Sequence, residues 1–158
     1  MKLTSNEEYG LRCLVRIGLI GTGGSLTIPE ISKAEGVSSA YAAKILRILR
    51  RAGFITAARG KDGGYMLARP AGRIVIGDVI DALGGRLFES DFCDQHSGQH
   101  SVCTHSVDCS VRSLWRTVQV VVDQVLSKTT LQDLLRNEQE MNSFIKGLPG
   151  SSGLSMIQ

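Results

Sequence analysis

Apolar residues recur along most of this chain at steps of three and four, and at short strand spacing in only one place. Tyr9, Leu11, Leu14, Val15 and Gly18 to Ile20 follow Thr4, a hydroxyl residue suited to a helix N-cap, and the pattern stops at Gly21-Thr22-Gly23-Gly24. Cys13 falls inside this helix and reads as a small core residue with no chemistry assigned. Thr27-Ile28-Pro29-Glu30 then combines a capping hydroxyl, an early proline and an early acid ahead of Ile31 and Ala34, and Gly36-Val37 forms a turn. Ser38 starts another helix, SAYAAKILRILRRAG, with an apolar stripe expected at Tyr41, Ile45, Ile48, Leu49 and Ala52 and an end at Gly53. Two helices across a tight glycine turn predict a helix-turn-helix.

The segments FITAAR and YMLARP are strand candidates joined by Gly60-Lys61-Asp62-Gly63-Gly64, which predicts a β-wing. The GKDGGY turn lacks the spacing of a phosphate-binding loop and does not lead from a strand into a helix. Ile76 to Leu83 predicts a short helix closed by Gly84-Gly85. Farther on, Val111, Leu114, Val118, Val121 and Val125 form a narrow apolar seam, widened by Trp115 and Val122, on a helix of about eighteen residues. A long helix with an unpartnered seam predicts a homodimer interface through Leu114, Val118, Val121 and Val125. Thr130-Leu131-Gln132-Asp133 predicts one last capped helix, and GLPGSSGLSMIQ has the composition of a disordered tail.

The expected fold class is therefore mainly α with a small β-wing: a winged helix-turn-helix head over residues 1–85, a cysteine-rich loop over 86–110, a dimerisation helix and terminal short helix over 111–146, and a tail over 147–158. No stretch approaches the roughly 18 apolar residues of a membrane span, and the expected location is the cytoplasm.

Charge sharpens this picture. Residues 1–75 hold twelve Lys and Arg against five Asp and Glu, a net +7, whereas residues 76–158 hold six against ten, a net −4. Lys44, Arg47, Arg50, Arg51, Arg59, Lys61, Arg69 and Arg73 are opposed only by Asp62 in their stretch. A basic helix followed by a basic wing fits double-stranded DNA as the partner, although a solvated helix face has the same composition. The first turn after Ser38 is expected in the major groove, with Ser39 and Tyr41 near base edges or phosphates, Lys44 or Arg47 as anchors, and Arg59 and Lys61 on the wing in the adjacent minor groove.

The remaining chemistry is concentrated in FCDQHSGQHSVCTHSVDCS, residues 92–110, which carries three of the four cysteines and all three histidines. In a reducing compartment such a cluster points to metal ligation or redox sensing rather than disulfides. Three Cys and three His suit tetrahedral zinc and an iron–sulfur cluster alike, and neither CxxC nor zinc-finger spacing is present. A cluster-free thiol sensor is the third reading. An enzyme built on Cys103 and His105 lacks an orienting third group and any cofactor fingerprint, and no small-molecule substrate is expected. An adaptor using the wing for protein contacts is disfavoured by the basic helix.

Taken together, MKLTSNEEYGLRCL, SSAYAAKILRILRRAGFI, RGKDGGYMLARP, IVIGDVIDALGG and CSVRSLW resemble the Rrf2 family of bacterial winged-helix regulators, the group of the IscR- and NsrR-like iron–sulfur transcription regulators. The resemblance covers about residues 1–140. It implies a DNA-binding homodimer, expected to be a repressor, whose Cys93, Cys103 and Cys109 hold an iron–sulfur cluster of 2Fe-2S or 4Fe-4S type. Five residues separate Cys103 from Cys109, as in the family, and nine separate Cys93 from Cys103, a wider gap. Arg112 stands where IscR members carry a ligating histidine, so the fourth ligand is another group. Glu8 matches the carboxylate that NsrR-like members supply from the partner's first helix, with His96, His100, His105 and Asp94 as local competitors.

Overall fold

The computed structural model describes residues 4–21, 23–58, 63–85, 92–99, 102–105 and 107–147. Capping chemistry sets the helix starts. Helix α1 (Ser5–Leu19) begins after Thr4, whose extended backbone N–H donates to Glu7 Oε2 at 2.6 Å. Helix α2 (Ile28–Glu35) repeats the device: the N–H and hydroxyl of Thr27 donate to Glu30 Oε2 at 2.8 and 2.7 Å. These two bonds hold the Glu30 carboxyl below its ordinary range. Gly36 ends α2 at φ +67°, a left-handed conformation that costs glycine little and a branched residue much. Two residues later Ser38 Oγ accepts the Tyr41 N–H at 3.2 Å and starts α3 (Ser39–Arg51).

The apolar face of α3 is rotated from the expected stripe. Ala42, Ile45, Leu46 and Leu49 are buried, Tyr41 and Ile48 lie half-buried at its edge, and Ala52 is exposed at the C-cap. Residues 42, 45, 46 and 49 follow the i, i+3, i+4, i+7 spacing of one face, whereas Ala52 falls after the last full turn.

The wing forms where the strand segments place it. Strands β1 (Ile55–Ala58) and β2 (Gly64–Leu67) pair antiparallel with Ile55 opposite Leu67 and Ala58 opposite Gly64. On the far edge of β2, Leu26 and Tyr65 exchange two backbone hydrogen bonds at 3.0 and 2.8 Å. A Cβ on Gly64 would lie 2.8 Å from the Leu26 carbonyl oxygen, so that approach requires glycine. Residues 59–62 at the wing tip, with Arg59 and Lys61, lie outside the described residues.

A turn of 3₁₀ helix (Ala71–Arg73) leads into α4 (Ile76–Leu83). After the short α5 (Phe92–Gln95) come α6 (Ser110–Leu126), α7 (Leu131–Leu134) and α8 (Glu138–Lys146). Thr130 caps α7 as expected, its N–H and hydroxyl donating to Asp133 Oδ2 at 2.9 and 2.7 Å. Helix α8 is an addition to the expected elements, started by Asn137 Oδ1 accepting the Glu140 N–H at 2.9 Å. The tail from 148 onward lies outside the described residues.

One core joins Cys13, Leu14 and Ile17 of α1 to Ile31, Ile45, Leu46, Leu49, Phe54, Ile74, Val79 and Leu83. It also takes Leu131, fully buried, from the segment beyond the long helix. The Leu131 N–H donates to the Ile74 carbonyl at 2.8 Å and the Ile76 N–H to the Thr129 carbonyl at 2.9 Å, tying that segment to the head. Along α6 the residue buried against the head is the polar Gln119, while Leu114 (57% exposed) and Val121 (55%) face away from it. No described helix is long and apolar enough to cross a membrane.

Candidate DNA-binding surface and cysteine loop

Helix α3 presents a basic outer face above its buried one. Ser38, Ser39, Lys44 and Arg47 are exposed, as are Arg50 and Arg51 near its end. Tyr41 is placed differently: it is half-buried, its hydroxyl donates to Asn6 Oδ1 at 3.0 Å, and its ring meets Tyr9 edge-on with centroids 5.9 Å apart. Ser39 Oγ donates to Ser32 Oγ at 3.3 Å, and Ser32 Oγ donates to the Val37 carbonyl at 2.6 Å, bracing the turn between α2 and α3.

A second group of residues, invisible to motif reading, fixes α2 against α1. Arg12 Nε and Arg16 Nε donate to the two oxygens of Glu35 at 2.9 and 2.8 Å. The Glu35 side chain is 4% exposed, and Arg12 also lies 5.2 Å from the Tyr9 ring centroid. The hydrogen bond to Glu35 holds the Arg12 guanidinium above its ordinary range. Sequence carried one clue: an acid in the last turn of a helix opposes the helix dipole and calls for a cation from elsewhere. Asn6 gave no such signal.

Cys93, Cys103 and Cys109 are half-buried and free of disulfides, and Glu8 is exposed on the first turn of α1. Cys109 is the N-cap of α6, its sulfur accepting the Arg112 N–H at 3.3 Å, so the third cysteine is fixed at the root of the long helix. His96, His105 and Asp94 are exposed, and His100 lies outside the described residues. Among the described residues of this single chain, no three Cys, His, Asp or Glu side chains converge as a metal-binding group. Cys13 differs from the other thiols: it is fully buried in the core, and burial pushes its thiol up to about 11.

Residues 3–137 match the family model described as Rrf2, iron-dependent transcriptional regulator. The chain belongs to the Rrf2 family. It is 35% identical over 137 residues to the protein rrf2 of Nitratidesulfovibrio vulgaris strain Hildenborough, covering 87% of this chain and 89% of that one. The solved structure of T. potens IscR superposes with a TM-score of 0.67 at 29% identity, over 85% of this chain and 86% of the other. CymR, described as the global cysteine regulator of B. subtilis, superposes with a TM-score of 0.66 at 26% identity, over 85% of this chain and 96% of the other. This Rrf2-family chain is thus a winged-helix transcription regulator rather than an enzyme, similar to both IscR and CymR.

Proposed function

We propose that the chain is a homodimeric, sequence-specific repressor whose affinity for double-stranded DNA is set by an iron–sulfur cluster. Cys93, Cys103 and Cys109 would hold it, with Glu8 of the partner subunit as the fourth ligand. The observation that carries this reading is Cys109 at the N-cap of α6: an N–H···S bond from Arg112 fits a ligating thiolate and ties the ligand to the helix that spaces the two heads. Two further unbridged, half-buried thiols lie in the same segment and would supply the other soft donors. When bound, such a cluster supplies a centre whose oxidation or loss responds to redox state, nitric oxide or iron supply.

The chain's own residues convert that state into DNA binding. Leu114, Val118, Val121 and Val125 join the two α6 helices, the exposed Leu114 and Val121 supplying apolar surface that one protomer does not cover. Ser38, Ser39, Lys44 and Arg47 face the major groove, Tyr41 supports the helix from behind, and Arg59 and Lys61 reach the minor groove. A swing in occupancy from 1:99 to 99:1 needs about 5.5 kcal/mol of differential affinity, more than an exposed ion pair supplies and within the reach of a metal–carboxylate bond that tethers α1.

Iron and acid-labile sulfide analysis of protein purified without oxygen tests the cluster. Stoichiometric iron and sulfide, lost together in a Cys109→Ser variant, supports the reading, whereas zinc without sulfide overturns it. The likeness to CymR favours one alternative, a cluster-free regulator that responds through Cys93, Cys103 or Cys109 directly. In that case metal-free protein would change operator affinity on thiol oxidation.

A further inference from the structure

We infer that thymine 5-methyl groups are read by Ala40 and Ala43 at the centre of the groove-facing surface of α3, with adjacent guanine taken by Lys44 or Arg47. The inference rests on the reading of α3 as the helix that enters the major groove and names the base chemistry that it selects.

At 100° per residue, Ser39, Ala43, Arg47, Ala40 and Lys44 fall in that order within an arc of roughly 140° on α3. Ala42, Ile45, Leu46 and Leu49 occupy the opposite, buried side. Ala40 is exposed and Ala43 half-buried. The polar groups that start the helix already have partners within the head. Ser38 Oγ accepts the Tyr41 N–H, the Ser39 hydroxyl proton goes to Ser32 Oγ, and the Tyr41 hydroxyl proton goes to Asn6 Oδ1. Beyond these two serines, what the first two turns hold outward is a pair of methyl groups between cationic side chains. The arc carries no carboxylate to accept from cytosine N4 and no carboxamide to pair with adenine N6 and N7. Ammonium and guanidinium groups donate and cannot accept, which suits the O6 and N7 acceptors of guanine. Methyl groups offer one kind of base contact, with the methyl that distinguishes thymine in the major groove.

The test uses full-length protein purified without oxygen and a duplex enriched by it from a random pool, resynthesised with deoxyuridine in place of each thymidine in turn. Deoxyuridine keeps every hydrogen-bonding group and removes only the methyl. At one or two positions per half-site, binding should weaken about fourfold, the factor expected for one buried methyl-sized group. That thymidine-to-deoxyuridine ratio should fall to about one in Ala40→Gly or Ala43→Gly, whatever the overall affinity of the variant. Tight binding of the enriched duplex with no deoxyuridine penalty at any position would overturn the inference and leave the DNA-binding reading intact. Failure to enrich any sequence over bulk DNA would instead overturn the DNA-binding reading itself.

Discussion

The Tyr41 hydroxyl on α3 donates a 3.0 Å hydrogen bond to Asn6 Oδ1 on α1, across 35 positions of sequence. Together with the edge-on Tyr9–Tyr41 contact, it fixes the first turn of α3 against the first turn of the helix that carries Glu8. Tyr41→Phe and Asn6→Ala should each cost about 1 kcal/mol of stability, and the double variant should cost little more than either alone because one bond is removed in all three. Denaturant unfolding of the four proteins measures this, and additive losses would mean that the two residues act separately.

The Glu35 carboxylate is buried between two arginines that remain more than 40% exposed. Glu35→Gln should destabilise the head by about 2 kcal/mol, less than the 3–5 expected for breaking a fully buried pair, because the released guanidinium groups keep their water. Calorimetry should show a transition lowered by several degrees.

Glu8 and Glu7 are neighbours with separable roles. Glu7 accepts the Thr4 N–H in a capping box, so Glu7→Ala should lower stability by about 1 kcal/mol and leave the visible spectrum of anaerobic protein unchanged. Glu8→Ala should leave stability nearly unchanged and alter the spectrum and the redox dependence of DNA binding. An unaltered spectrum would redirect attention to His100 or His105 as the fourth ligand.

Val121 is 55% exposed in the protomer, so Val121→Asp should leave each head folded while disrupting the pairing of α6 helices. Light scattering should give a monomer with unchanged helicity. A surviving dimer would place the interface on another surface.

Cys13 gives a pH dependence with a definite sign. Its thiol is raised in the folded state from 9.0 to about 11 by burial, so between those values the unfolded chain has released a proton that the folded one retains. Stability should fall as pH rises above about 9, and Cys13→Ala should show a shallower decline, read by urea titrations at pH 8 and pH 10. Native protein should correspondingly expose Cys93, Cys103 and Cys109 to alkylation before Cys13.

Much of the head was legible because its helix starts are local chemistry: Thr4, Thr27, Ser38 and Thr130 each cap the helix that follows them. The same signal at Asn137 and Glu140 announces α8, and it was hidden by the polar surroundings of a helix with no buried residue. The register of α3 was less legible because alanine carries so little hydropathy that Ala42, which is buried, and Ala52, which is exposed, look alike in sequence. Along α6, hydropathy marks the outward seam, whereas the buried position is the polar Gln119, whose Nε2 donates to Asp123 Oδ1 on the same helix at 2.7 Å, and only Leu126 near the helix end packs on the core. Long-range partnerships such as Asn6 with Tyr41 leave no periodicity to detect. They depend on how helices cross, which no single segment encodes.

The burial of Leu131 beneath the 3₁₀ turn and α1 makes completion of the core depend on a segment far along the chain. On the ribosome α3 emerges early, but the core beneath it is completed only when residue 131 has left the exit tunnel, after the cysteine segment and α6 have been synthesised. A single cut in the cysteine segment would for the same reason leave two pieces held together, comigrating until denaturant frees Leu131 from the core and from the Ile74 carbonyl.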